Sequence, residues 1–387
     1  MTEHTLFITN DFPPRDGGIQ TFIYELVKRF EPRSVTVLAS DYEGAKEFDR
    51  AQPFRVVRAE TSVLLPTPAT KKLARQLIVE TGATRVVYGA AAPLGLLTPA
   101  LRAMGVKTFT GITHGHEAGW SITPVTRQLL RRIGKSVDVL TYLGNYTREK
   151  IGRILPQENY EAMRQLAPAV DTEVFSPANR TAGQRLRIQA GLENKRVIVC
   201  VSRLMERKGQ DSLINAMPLI LAKVPNAHLL IVGGGPYEDA LHSLVTAAHV
   251  EAHVTFTGKV AFDELAQWYA AADVFAMPCR TRNAGWDVEG LGIVFLEASA
   301  TGLPVIAGNS GGAPDAVVDG VTGFVVDGQD LTDIASRITQ LLNDPQLCEQ
   351  FGLAGRAWVQ SNWTWERSVA RLQALLDGRD PDVLDAA

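Results

Sequence analysis

The sequence predicts an α/β protein of two Rossmann-like domains, and three observations carry that prediction. Short β-branched runs alternate with helical stretches along the whole chain, the pattern of parallel sheets covered by helices on both faces. The alternation halts near residues 166–180 and then starts again. A length of 387 residues also exceeds what one ordinary hydrophobic core organises, so two domains of similar size fit it best.

In the first half, strands are expected at residues 6–9, 35–39, 55–58, 85–88, 107–110 and 137–142. Helical patterns intervene. Residues 19–30, for example, place Phe22, Ile23, Leu26, Val27 and Phe30 on one face. The segment LAPAVDTEVFSPANR at 166–180 carries two prolines and loses periodicity, so it reads as a linker. Strands resume at 196–201, 228–232, 254–256, 274–277 and 305–307. The amphipathic tail WTWERSVARLQALLD at 363–377 is expected to form a final helix. The domain bounds are therefore 1–167, a linker at 168–180, 181–362, and a terminal helical segment at 363–387. Ligands of such sheets bind outside the carboxyl ends of the strands, which directs attention to the loops there.

The composition excludes several classes. At 45% hydrophobic and 21% charged, the chain is a folded protein rather than a disordered one. No apolar run approaches the ~20 residues of a membrane-spanning helix. The opening MTEHTLFITNDFPP lacks the basic and apolar regions of a secretory signal, so a cytoplasmic location is expected. Cys200, Cys279 and Cys348 are scattered and odd in number, which fits reduced, buried thiols without a zinc site or a disulfide framework. Residues 1–175 hold 22 Lys+Arg against 18 Asp+Glu (+4), and the remainder 17 against 24 (−7). A basic first half suits an anionic partner. Nucleic acid is not expected, because no basic stripe with interleaved aromatics appears.

Five motifs carry chemistry. Gly17 and Gly18 follow the first strand and open the first helix, where backbone N–H groups can approach an anion. Neither this pair nor Gly233-Gly234-Gly235 continues as G-x-G-x-x-G, and no Walker lysine motif exists, so dinucleotide and P-loop readings fall. SRLMERKG at 202–209 places Arg203 and Lys208 at the carboxyl edge of the second sheet, before a helix expected near Gly209. Two such cations suit a nucleoside diphosphate leaving group, whose negative charge grows as a glycosidic bond breaks. Glu289 and Glu297 stand eight apart across a glycine-marked loop-to-helix junction. A helix opening near Gly292 would offer the N–H groups of Ile293 and Val294 to phosphate oxygens, with Glu297 one turn on for ribose hydroxyls and Glu289 near the sugar. His114-Gly115-His116-Glu117 lacks a metalloenzyme helix pattern. His114 either touches the sugar or is satisfied by backbone. Finally, Arg127, Arg131, Arg132 and Lys135 flank Leu129, Leu130 and Ile133, a basic amphipathic stretch that is either a solvated helix or a membrane-surface contact.

Together, PPRDGGIQ, SRLMERKG, IVGGGP at 231–236, FTGKV at 256–260, AADVFAMP at 271–278 and the E-x7-E pair resemble, in order, glycosyltransferase family four. The resemblance implies a retaining enzyme of two Rossmann-like domains facing across a cleft (the GT-B arrangement), acceptor domain first and nucleotide-sugar domain second, with a final helix returning to the first. It implies that Arg203 and Lys208 bind the diphosphate, Glu297 the ribose, and Glu289 with His114 the transferred sugar. Lys259 and Val260 would meet the base through backbone, and Gly17 and Gly18 would lie beside the β-phosphate and acceptor. Of these, His114, Arg203, Lys208 and Glu289 would be catalytic. No metal or other cofactor is implied.

RNAGWDVEGLGIVFLEASATGLPVIAG at 282–308 is more closely similar to bacterial phosphatidylinositol mannosyltransferases. That implies GDP-mannose as donor, the inositol ring of phosphatidylinositol monomannoside as acceptor, and work at the inner face of the plasma membrane. Transfer from UDP- or ADP-glucose to another lipid or a soluble acceptor is the alternative. A silent binding module would be expected to lack Glu289, Arg203 or Lys208, and an epimerase the E-x7-E spacing.

Overall fold

The computed structural model describes residues 3–115, 117–121 and 123–385; His116 of the HGHE motif lies outside the described residues. The chain divides into two compact units, residues 1–168 with 365–387, and residues 169–364.

The first unit is built on a seven-stranded parallel sheet. Its strands are β1 (Thr5–Thr9), β2 (Val35–Ser40), β3 (Arg55–Ala59), β4 (Arg85–Tyr88), β5 (Thr108–Gly111), β6 (Val139–Tyr142) and β7 (Arg164–Gln165), in the order β3-β2-β1-β4-β5-β6-β7. β1, β2 and β4 are nearly all buried, which is why they read as continuous apolar runs rather than alternating ones. Leu6, Ile8, Val86, Tyr88 and Phe109 are buried in a core that continues into the flanking helices through Leu77, Leu101, Leu130 and Ile133.

The second unit repeats the plan with β8 (Arg196–Val201), β9 (Ala227–Val232), β10 (Val254–Gly258), β11 (Val274–Met277), β12 (Val305–Gly308) and β13 (Gly323–Val326). Their order is β10-β9-β8-β11-β12-β13, again parallel. The strand order therefore reverses once in each sheet, at β1/β4 and at β8/β11. The loops leaving β8 and β11 lie at that switch point, where ligands of such sheets bind.

Two strands escape the alternation. β7 is two residues on a sheet edge, and β13 sits inside DGVTGFVVDG, whose flanking glycines and aspartates read as loop. β6 opens at Val139 rather than at 137 because Asp138 is a clasp: its carboxylate accepts the Phe109 N–H at 2.7 Å while its own N–H donates to the Phe109 carbonyl at 2.9 Å. The first helix spans Gly18–Val27, after which the N–H groups of Arg29 and Phe30 turn tightly onto Leu26 and Val27.

The tail packs on the first unit. The helix Trp365–Leu376 buries Leu372, Leu375 and Leu376, Ser368 Oγ donates to the Ala167 carbonyl at 3.0 Å, and Arg371 Nε to that of Gln165 at 3.0 Å. Arg164 grips both carboxylate oxygens of Asp380 at 2.8 and 2.7 Å, a two-pronged contact that holds the Asp380 carboxyl down at about 2. Among the described residues, no helix is long and apolar enough to cross a membrane.

This packing makes the tail a core element rather than an appendage. Leu372→Ala should cost the first unit about 2–5 kcal/mol in urea unfolding, as for other buried leucines. A loss below about 0.5 kcal/mol, the range of surface substitutions, would refute it.

Candidate functional site

The loop leaving β8 is held by its neighbours before any ligand arrives. Gln210, wholly buried, donates from Nε2 to Ser202 Oγ at 2.8 Å and to the Arg203 carbonyl at 3.2 Å. A short 3-10 turn, Glu206–Lys208, then runs into Gly209, whose φ of +79° an L side chain rarely adopts. A Cβ there would also lie 2.1 Å from the Pro278 carbonyl oxygen. This is why glycine starts the Gln210–Leu221 helix.

The turn delivers Lys208 to Glu289. Its Nζ donates to Glu289 Oε2 at 2.5 Å, with the two side chains only 11% and 9% exposed. Removing either partner of so shielded a pair strands the other in a poor solvent. The Glu289 backbone is fixed from behind: its carbonyl accepts from the Gly312 N–H at 2.9 Å. Arg203 is exposed, and no carboxylate among the described residues pairs with it.

Further ion pairs stitch the loop after β11 to the loop after β8 and to the start of the Gln210–Leu221 helix. Arg207 Nη1 donates to Asp287 at 3.3 Å, Arg280 binds both oxygens of Asp211 at 2.8 and 2.6 Å, and Arg282 pairs with Glu206. No local motif signals these partners, since they lie dozens of residues apart in sequence.

The three glycines 233–235 act as a close-approach device. Cβ atoms on Gly233 and Gly235 would lie 2.1 and 2.4 Å from the carbonyl oxygens of Ser202 and Leu204, while the Leu204 N–H donates to Gly234 at 3.1 Å. The Gly233 N–H reaches the Gly258 carbonyl at 3.0 Å. Exposed Lys259 and half-buried Val260 follow directly.

Gly292, at φ +81°, is the N-cap of the Ile293–Thr301 helix, and no side chain caps it. Ile293 and Val294 thus contribute N–H groups that the helix cannot bond internally, at its positive end. Glu297 lies on the same helix and is buried, and its Oε2 accepts from the Tyr269 hydroxyl at 2.7 Å. Burial raises its carboxyl to about 7, although the tyrosine hydrogen bond pulls the other way. Tyr269, in the Phe262–Ala270 helix, was not among the residues the sequence singled out.

In the first unit, Gly17, at φ +156°, opens the Gly18–Val27 helix without a side-chain cap. A Cβ at Gly17 would strike Gln20 Oε1, whereas one at Gly18 would meet open space. His114 has its ring Nε2 against the Gly89 carbonyl, its backbone N–H donating to Glu117 Oε2 at 2.9 Å, and its ring edge-on to Phe22. The structure thus realises the backbone contact considered for this histidine. The basic stretch forms the Pro124–Ser136 helix, burying Leu130 and Ile133 and exposing Arg127, Arg131, Arg132 and Lys135.

Chemically, the second unit gathers two cations, an uncapped helix end and two buried carboxyls around the carboxyl ends of β8 and β11. That set fits an anionic phosphate group joined to a polyhydroxyl body.

Two consequences are measurable. Because the folded state holds the Glu297 proton up to about 7, its stabilising contribution is full below the ordinary carboxyl range and is lost as pH rises to about 7. Glu297→Gln should therefore gain stability relative to the parent between about pH 5 and about pH 8, by on the order of 3 kcal/mol at most. A pH-independent difference would contradict this. Lys208→Met should cost about 3 kcal/mol by leaving Glu289 unpaired, and adding Glu289→Gln should restore part of it. Strict additivity of the two changes would dissolve the pair.

The family model described as "Glycosyl transferases group 1" matches residues 184–358. The GDP-mannose-dependent alpha-(1-6)-phosphatidylinositol monomannoside mannosyltransferase of Mycolicibacterium smegmatis is 48% identical over 381 residues, covering 97% of this chain and 98% of that protein. The corresponding Corynebacterium glutamicum enzyme, named for a monoacylated acceptor, is 44% identical over 375 residues, 96% of this chain and 97% of its own. Among solved structures, Anabaena Alr3699/HepE in complex with UDP aligns with a TM-score of 0.81 over 97% of this chain and 100% of that one, at 18% identity, which speaks to the fold alone. At 48% and 44% identity to these enzymes over nearly its whole length, the chain belongs to the group 1 glycosyl transferases, the family-four enzymes that its motifs resemble, and is a glycosyltransferase.

Proposed function

We infer that the chain transfers mannose from GDP-mannose to the inositol ring of phosphatidylinositol monomannoside, forming the dimannoside. The observation that carries this is identity of 48% and 44% across nearly the whole chain to enzymes named for that donor and acceptor. The geometry supports it. Arg203, Lys208 and the N–H groups of Ile293 and Val294 form a cationic edge for the diphosphate, where charge develops as the glycosidic bond breaks. Glu297 takes the ribose hydroxyls, Gly292 lets the backbone approach the phosphates, and Lys259 and Val260 meet guanine through their backbone. Glu289 takes hydroxyls of the mannose once the donor has drawn Lys208 toward phosphate. The same reading gives the Gly17–Gly18 turn to a phosphate oxygen and sets His114, its ring Nε2 held by the Gly89 carbonyl, beside the transferred sugar.

The donor's mannose is α-linked and the relatives are named for alpha linkages, so the reaction proceeds with retention. The C1–O bond to the β-phosphate breaks, a bond from C1 to an inositol oxygen forms on the same face, and the acceptor proton leaves on the phosphate of GDP. We assign charge neutralisation to the two cations, with no divalent metal. Full turnover in excess EDTA is the expected result, and a loss that magnesium restores would overturn that assignment.

The exposed cations Arg131, Arg132 and Lys135 on the Pro124–Ser136 helix support peripheral contact of the first unit with the anionic inner face of the plasma membrane. Arg131→Glu with Arg132→Glu should release the protein from vesicles containing phosphatidylinositol while sparing transfer in detergent. Unchanged vesicle binding would remove this helix from the contact.

A transfer assay tests the function itself. Labelled GDP-mannose and phosphatidylinositol monomannoside in detergent should yield labelled dimannoside, and Lys208→Ala or Glu289→Ala should each lower turnover about 100- to 1000-fold. Consumption of UDP-glucose instead would replace the donor, and near-normal rates in both variants would remove these residues from the reaction.

A further inference from the structure

The donor site rests on a residue that touches no part of the reaction as drawn above. We propose that Tyr269 is a positioning residue for donor binding: its hydroxyl locks one oxygen of Glu297 and leaves the other oxygen to the ribose. This rests on the reading of Glu297 as the ribose contact.

Tyr269 lies in the last turn of the Phe262–Ala270 helix and is wholly buried. Its ring is wedged edge-on against Phe175, centroids 5.7 Å apart, and tilted against Phe275 at 5.8 Å, so the hydroxyl has one direction to point. A buried hydroxyl needs a partner, and this one has Glu297 Oε2 at 2.7 Å. Among the described residues no second hydrogen bond engages the Glu297 carboxyl, so Oε1 is uncommitted. The carboxyl is thus half used and half available.

The arrangement spans the nucleoside. Glu297 sits five residues after Gly292, on the helix whose uncapped end is assigned to phosphate. Tyr269 ends the helix that begins just after Lys259 and Val260, assigned to the base. A flexible carboxylate would spend binding energy on being ordered by the ribose, and one already pinned by Tyr269 would not. The hydroxyl also favours the charged carboxylate against its burial.

The test is a cycle of two proteins and two ligands, read by calorimetry on the full chain: wild type and Tyr269→Phe, each with GDP and with 2′,3′-dideoxy-GDP. The ring is kept, so the fold should survive, and a thermal midpoint within a few degrees of wild type confirms it. Tyr269→Phe should weaken GDP about tenfold, the loss of one hydrogen bond to a charged group, and weaken the dideoxy compound less than about twofold. In turnover, the KM for GDP-mannose should rise with kcat nearly unchanged. The pH step in GDP affinity should also move upward, because the carboxylate has lost a donor. Equal weakening of GDP and dideoxy-GDP, or none, overturns the proposal and leaves Tyr269 a packing residue. Glu297→Gln separates the two readings: if it too discriminates nothing, the ribose assignment of Glu297 has failed. If wild type binds UDP rather than GDP, the donor reading has failed, and the same cycle run with uridine compounds still decides the role of Tyr269.

Discussion

The site depends on one shielded ion pair, Lys208 to Glu289 at 2.5 Å. Its partners are 81 residues apart and meet only because β8 and β11 lie side by side in the sheet. Neither charge would be tolerable alone at this degree of burial, so the pair makes both possible. It also leaves each poised for a different part of a ligand, the ammonium for a phosphate and the carboxylate for hydroxyls. Under the function proposed above, the pairing is a placeholder for the donor.

What surrounds the pair serves to hold its two loops still. Gln210 and the glycine triad hold the loop after β8 through backbone contacts that any Cβ at Gly233 or Gly235 would break. The Arg207–Asp287 pair crosses from one loop to the other, and Arg280–Asp211 ties the loop after β11 to the first turn of the Gln210–Leu221 helix. Ordering loops before a ligand arrives lowers the entropic cost of binding, and orienting charges in advance is how electrostatic stabilisation of a leaving group is achieved. The glycines at 209 and 292 each start a helix at positive φ, one carrying the chain out of the cation loop and the other exposing the N–H groups of Ile293 and Val294.

Much of this was legible in the sequence because it is local. The apolar runs of β1 and β8, the helix after Gly209 and the helix after Gly292 follow from composition and glycine placement within a few residues. The two missed strands were short or buried in turn chemistry, as at Gly323–Val326. The unread part of the site is what topology brings together: Asp211 with Arg280, Arg207 with Asp287, and Tyr269 with Glu297. No spacing rule signals a contact across 28 or 69 residues. His114 shows the same limit, since its ring contact with the Gly89 carbonyl exists only once β4 and β5 are side by side.

The most direct test of the placeholder account is a crystal structure of the chain with GDP-mannose bound. The account predicts that Lys208 Nζ has left Glu289 for a phosphate oxygen of the donor, with the Glu289 carboxylate on a mannose hydroxyl. An intact 2.5 Å pair beside a donor whose diphosphate is held elsewhere would contradict it.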